Sequence, residues 1–175
     1  MAVIGWDATL AHDRLLARRL TAGLAQLPRV RVLGPSPRVE RLPVVTFVMD
    51  GMPHALVAAR LSAGFGIGVR HGCFCAHPYV TRLLGLDASA RAQARVAARR
   101  GTRAALPGAV RALAGLSTTA EDVDRLVAAL HTIATSPAPV RYELKRRGGN
   151  LLAGAHVAAV QRGNRASCRL TRLSS

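Results

Sequence analysis

The chain has almost no lysine, few aromatic residues and few acids, and each shortage closes off a class of function. Of its 25 basic residues Lys145 is the only lysine, and the other 24 are arginine. Chemistry that needs a primary amine, such as a Schiff base, therefore has one side chain to draw on. Aromatics are 3% of the sequence, so the core must be built from Ala, Val, Leu and Ile. Scattered arginines without interleaved aromatics make a poor platform for stacked bases. Three cysteines, Cys73, Cys75 and Cys168, are too few for a disulfide framework. No basic stretch followed by an apolar run opens the chain, so no signal peptide is expected. The apolar stretch from Leu42 to Ala59 is broken by Asp50, Gly51, Pro53 and His54, so no membrane span is expected either. A reducing cytoplasm is the expected location.

What is present is enough for one folded domain. The chain has 175 residues, half of them apolar, and a net charge of +16. Such a chain can bury a real core. The charge has two readings: an arginine-rich bias on a solvated surface, or a face that binds nucleic acid or another polyanion. The scatter of the arginines favours the first, and nucleic acid is not expected as a partner.

Periodicity gives the order of elements. Residues 7–27 read as an amphipathic entry helix with Leu10, Leu16, Leu20, Leu24 and Leu27 near one stripe, closed by Pro28. Strands are expected at Val30–Leu33 and Val44–Met49, then a helix from Pro53 to about Ser62, stopped by Gly64 and Gly66. A further strand is expected at Ile67–Arg70, a surface helix at Ala88–Arg100 and a strand at Val110–Leu113. Thr118 and Glu121 read as a capping box opening a helix that ends near Ala134. This order predicts an α+β two-layer sandwich, a small mixed sheet with helices mainly on one face, over residues 1–135. Residues 136–175, with a net charge of +7 from Arg141 onward, read as a disordered basic tail in which Leu151 to Val160 could form a short helix.

The chemistry lies in Gly66-Ile67-Gly68-Val69-Arg70-His71-Gly72-Cys73-Phe74-Cys75-Ala76-His77-Pro78. Alternating His71, Cys73, Cys75 and His77 invite a zinc reading. In a strand, residues two apart lie roughly 6.6 Å apart along the axis, so four alternating ligands cannot converge on one ion. No metal site is expected. Buried, each cysteine would be a small hydrophobe; a functional one needs exposure and a nearby positive group, which Arg70, His71 and His77 could supply.

This stretch resembles the cysteine-bearing loop of the class V aminotransferases and cysteine desulfurases, which belong to the fold-type-I pyridoxal-phosphate enzymes. Gly66, Ile67, Val69, Arg70, Gly72, Cys75, Ala76 and Pro78 match that pattern. Cys75, not Cys73, stands at the position of the desulfurase nucleophile, which attacks the substrate sulfur and becomes a persulfide. Gly34-Pro35 and Arg41-Leu42-Pro43-Val44-Val45-Thr46-Phe47 resemble the entry to the family's small domain. Gly108-Ala109-Val110-Arg111-Ala112 resembles the strand whose arginine grips the amino-acid carboxylate, a task that suits a planar guanidinium. Gly115 to Leu126 resembles the last-helix signature. Leu113 departs from the serine usual two places after that arginine.

The resemblance implies the C-terminal small domain, with Cys75 as catalytic residue and Arg111 and Arg70 as substrate-binding residues. It implies pyridoxal phosphate as cofactor, held on a lysine of the large domain. Lys145 lies in the basic tail, so this chain alone is not expected to hold the cofactor or to be active. The implied partners are a separately encoded large domain or a second copy in a homodimer, with an amino acid as substrate. A polyanion-binding module and a small cysteine-based sulfur carrier are the competing readings.

Overall fold

A computed structural model describes residues 5–36, 39–99, 106–136, 142–144 and 151–153. Its elements run α1 (Trp6–Ala25), β1 (Val30–Leu33), β2 (Val44–Met49), α2 (His54–Phe65), β3 (Arg70–Gly72), α3 (His77–Leu83), α4 (Ala88–Arg99), β4 (Ala109–Leu113), α5 (Ala120–Thr135), β5 (Tyr142–Leu144) and β6 (Leu151–Ala153). Four strands form one sheet in the order β1-β2-β4-β3. All three pairings are antiparallel, where a mixed sheet was expected. The α+β architecture is as expected.

Strict alternation along the central strands builds the core. Val45, Phe47 and Met49 of β2 and Val110 and Ala112 of β4 are buried on one face. Against them pack Leu16, Leu20 and Leu24 of α1, Val57 and Leu61 of α2, and Val123, Leu126, Leu130 and Ile133 of α5. The stripe expected on α1 holds from Leu16 onward, whereas Leu10 is exposed. Gly23 lets α5 approach α1 closely: a Cβ there would lie 2.6 Å from Val127 Cγ2.

The last turn of α5 is closed by arginines rather than by a glycine. Arg60, buried in α2, donates to the carbonyls of Ile133 and Ser136, each at 3.1 Å. Arg29, in the left-handed region at φ 64°, donates to Ala134 O at 3.3 Å and to Asp50 O. Cations suit the carbonyl end of a helix, whose final oxygens have no partner within it.

Several boundaries differ from expectation, each for a local reason. The capping box is Thr119 with Asp122, not Thr118 with Glu121. The Thr118 hydroxyl is already engaged, accepting from Gly115 N at 3.0 Å. Helix α2 runs through Gly64 and ends at Gly66, which takes the left-handed conformation of a C-cap. The third strand begins at Arg70 rather than Ile67, because only Arg70–Gly72 lies opposite β4; Ile67 and Val69 pack against the core without pairing. Helix α3 was not anticipated. Within the segment read as a disordered tail, β5 and β6 form an antiparallel hairpin against α2, so residues 151–153 are strand and not helix. Lys145, Cys168 and the rest of that segment lie outside the described residues. Among the described residues, no helix is long and apolar enough to cross a membrane.

The two sheet faces should respond very differently to truncation. Phe47 is fully buried and Leu113 is 58% exposed. Phe47→Ala is expected to destabilise the fold by about 3–5 kcal/mol. Leu113→Ala should change stability by less than about 0.5 kcal/mol. Urea denaturation of both variants measures the contrast.

Candidate functional site

The face of the sheet away from α1, α2 and α5 carries the predicted arginines. Register puts Leu33, Thr46, Arg111 and Arg70 in one row across β1, β2, β4 and β3. Directly opposed residues of antiparallel strands project to the same side, so Arg70 and Arg111 are neighbours there. Like charges so placed repel, unless an anion lies between them. Neither arginine belongs to an ion pair among the described residues, whose pairs are Arg14–Glu40, Arg19–Asp124 and Arg125–Asp122. Arg111 Nε is buried and has no hydrogen-bond partner among the described residues. Its guanidinium carbon lies 4.5 Å from the centre of the Phe74 ring, a cation–π contact. Phe74 and Arg111 line a cleft of roughly 300 Å³ with Arg41, Thr46, Tyr79 and Val80.

The cysteine loop is a tight turn. Ala76 N donates to Cys73 O at 2.8 Å, and the two residues between, Phe74 and Cys75, have φ of 54° and 59°. Two successive positive φ values belong to a type I′ turn, which normally recruits Gly, Asn or Asp. An ordinary side chain in that region costs about 1–2 kcal/mol. The turn sets Phe74 on Arg111 and leaves Cys75 exposed, while Cys73 is half-buried. Helix α3 follows at once, with Pro78 in its first turn. The structure thus brings the Phe74–Cys75 turn to the arginine row.

Sequence reading missed a histidine pair behind this loop. Alternation along β3 sends Arg70 to the open face and His71 to the core side, towards the start of α2. There His71 Nδ1 lies 3.2 Å from His54 Nδ1. The ring centroids are 5.3 Å apart and the planes differ by 30°. With the nitrogens so much closer than the centroids, the two rings meet edge to edge through Nδ1. That is the geometry of an N–H···N hydrogen bond, and the two lone pairs do not converge on an outside ion. His54 Nε2 lies 3.1 Å from Leu106 O and must donate to it, so His54 Nδ1 accepts and His71 Nδ1 donates. Gly108 leaves room for this, since a Cβ there would lie 2.7 Å from the His54 ring. Among the described residues no group of three or more His, Cys, Asp or Glu side chains is placed so that it could hold a metal ion. The alternation of β3 was the signal that could have placed His71 inside.

Comparison with known proteins shows the family to which the chain belongs. The family model for aminotransferase class V matches residues 1–126. The chain belongs to the class V aminotransferase family. It is 32% identical over 133 residues to a cysteine desulfurase of Dickeya dadantii, a match covering 76% of this chain and 26% of the relative. An aminotransferase-like protein of Gibberella zeae is 28% identical over 130 residues, covering 73% and 28%. Among solved structures, the cysteine desulfurase CsdA of Escherichia coli has a similar fold. Its TM-score is 0.52 at 24% identity, covering 73% of this chain and 25% of that one. The chain thus spans about a quarter of the length of these relatives.

Family members of the desulfurase type depend on pyridoxal phosphate. The described residues do not fit a covalent site for it, because none of them is a lysine.

Two tests follow from the site geometry. At position 75, glycine should be more stable than alanine by about 1 kcal/mol, since only glycine escapes the positive-φ penalty. Thermal or urea unfolding of Cys75→Gly and Cys75→Ala gives the difference. Burial holds His54 below the usual imidazole value, and burial with the charge of His54 does the same to His71. Between those lowered values and about pH 6.5 the unfolded chain binds more protons than the folded one. Stability should therefore be fully developed above about pH 6.5 and fall as the pH drops below it. His71→Asn should flatten the urea-midpoint profile in that window.

Proposed function

We propose that these residues work as the small-domain half of a class V enzyme. Arg111, with Arg70 beside it, receives the carboxylate of an amino-acid substrate, and Cys75 meets the substrate's reacting group. The observation that carries this reading is the buried, unpartnered Nε of Arg111 on the open sheet face. A buried guanidinium N–H without a partner calls for an acceptor, and a carboxylate can take two parallel N–H bonds from a guanidinium. Phe74 packs over one face of the planar group, its ring centre 4.5 Å from the guanidinium carbon. Cys75 follows Phe74 directly and is exposed. A desulfurase-type role uses this thiol: its sulfur would attack the sulfur of a cysteine substrate. The substrate's C–S bond would break with its electron pair going to the carbon skeleton, which leaves as the desulfurised amino acid after gaining a proton. Cys75 would keep the sulfur as a persulfide, with the large domain's cofactor supplying the electron sink.

The reading requires a large domain that supplies the cofactor lysine. The open face also carries the exposed apolar side chains Val44, Tyr79 and Leu113, which such a domain would cover. Without it the chain is expected to be inactive.

Joining the chain to the large domain of a family member, loaded with cofactor, tests the proposal. Sulfide release from L-cysteine should appear and should vanish in Cys75→Ser. Arg111→Ala should raise KM for the amino acid roughly a hundredfold, the loss of charge-assisted hydrogen bonds. Activity indifferent to both substitutions would sink the assignment. In the isolated chain Cys75 should alkylate faster than Cys73. Arg70→Ala should slow its reaction with anionic iodoacetate more than with neutral iodoacetamide, because local positive potential concentrates the anion. Equal, slow labelling of the two cysteines would point to a merely structural loop.

A further inference from the structure

A second cleft, of about 150 Å³, lies between α1 and the segment Val39–Arg41. Its polar lining is Arg14, Arg18, Thr21, Glu40 and Arg41. Arg41 also reaches the cleft beneath Arg111, but the other four do not.

Thr21 is the anomaly. A threonine inside a helix ordinarily returns its hydroxyl to a carbonyl three or four residues back. Thr81, Thr132 and Thr135 do so here, towards His77, Ala128 and His131 at 3.0, 3.1 and 2.9 Å. Thr21 is only 5% exposed, and its Oγ1 has no partner among the described residues. Arg41 Nε is likewise buried without one. The Arg41 guanidinium is fixed in place, because its Nη2 donates to Pro35 O and Ser36 O at 2.7 Å each.

Charge then selects the ligand. Arg14 pairs with Glu40, and those two charges cancel. Arg18 and Arg41 have no carboxylate partner among the described residues, which leaves two positive charges on the cleft. The groups without partners are donors: a hydroxyl and guanidinium N–H groups. A complementary ligand is rich in acceptor oxygens and carries two negative charges. Phosphate near neutral pH meets both conditions, and a single carboxylate meets only the first. A water molecule could satisfy Thr21 but would leave both charges unmatched.

We infer that this cleft is a binding site for a phosphate dianion, with Thr21 Oγ1, Arg41 Nε and Arg18 as its donors. It is distinct from the carboxylate role given to Arg111, and neither depends on the other. The ligand is either the free anion or the phosphate of a small ester.

Thermal unfolding of the full chain with inorganic phosphate, at ionic strength held constant with chloride, tests this. A saturable rise in midpoint is expected, as for any ligand that binds the folded state. Thr21→Val should weaken phosphate affinity roughly tenfold, while Thr21→Ser retains it. In phosphate-free buffer Thr21→Val should be at least as stable as the parent, since it removes a buried hydroxyl that has no partner. Arg18→Ala, at an exposed position that does not threaten folding, should also weaken binding roughly tenfold. Glycerol phosphate binding more tightly than inorganic phosphate assigns the site to an ester, and the reverse assigns it to the free anion. A midpoint that phosphate moves no further than chloride does, or an affinity unchanged in both Thr21→Val and Arg18→Ala, overturns the inference.

Discussion

The structure depends on one constraint, the two-residue period of β4 between β2 and β3. Val110 and Ala112 must enter the core for the helical layer to close over the sheet. That commitment fixes Arg111 and Leu113 on the opposite side. A slip of one residue would bury the guanidinium under α1, α2 and α5 and expose the valine. The antiparallel register then carries the decision outward in both directions. It sets Thr46 on one flank of Arg111 and Arg70 on the other. The apolar core therefore determines the charged face, with no contact between the two being needed.

The same alternation explains how β3 serves two environments with three residues. Arg70 faces out, and His71 faces in towards the first turn of α2. The hydrogen bonds from His71 to His54 and from His54 to Leu106 tie β3, α2 and the approach to β4 together behind the cysteine loop. That loop then turns through two positive-φ residues which lack the amide or carboxylate side chains usual in such a turn. Its anchors are the histidine pair on one side and the start of α3 on the other. Strain of this kind persists only where the surroundings over-determine the conformation, and here they do.

Much of this was legible in the sequence. The strands at 30–33 and 44–49 emerged with their observed bounds because β-branched runs there are closed off by Gly34-Pro35 and Asp50-Gly51. The capping box was ambiguous by construction, because Thr118 with Glu121 and Thr119 with Asp122 both satisfy its spacing. Only the three-dimensional engagement of Thr118 with Gly115 decides between them. Helix α3 escaped notice because seven residues beginning His-Pro carry too little periodicity to be seen. The candidate site was legible in its residues but not in its geometry. Arg70, Cys75 and Arg111 could be named from motif resemblance, whereas the contact between Phe74 and Arg111 joins positions far apart in the chain. Alternation along β3 could have turned His71 inward, but nothing local pairs it with His54, seventeen positions earlier.

The arginine excess looks uniform in the sequence, yet the fold divides it by role. Arg60 and Arg29 are spent on carbonyls at the end of α5. Arg14, Arg19 and Arg125 are matched to acids on the surface. Arg111, Arg70, Arg18 and Arg41 have no acid partner among the described residues. Arg111 and Arg41 line one cleft, Arg18 and Arg41 the other, and Arg70 stands beside Arg111 in the sheet row. A polyanion-binding face would need its unmatched charges spread along a continuous groove with aromatic platforms between them. Among the described residues one aromatic ring, that of Phe74, lies over an arginine, and it serves the half-buried Arg111. Each of the two clefts is lined by a buried donor that lacks a partner among the described residues.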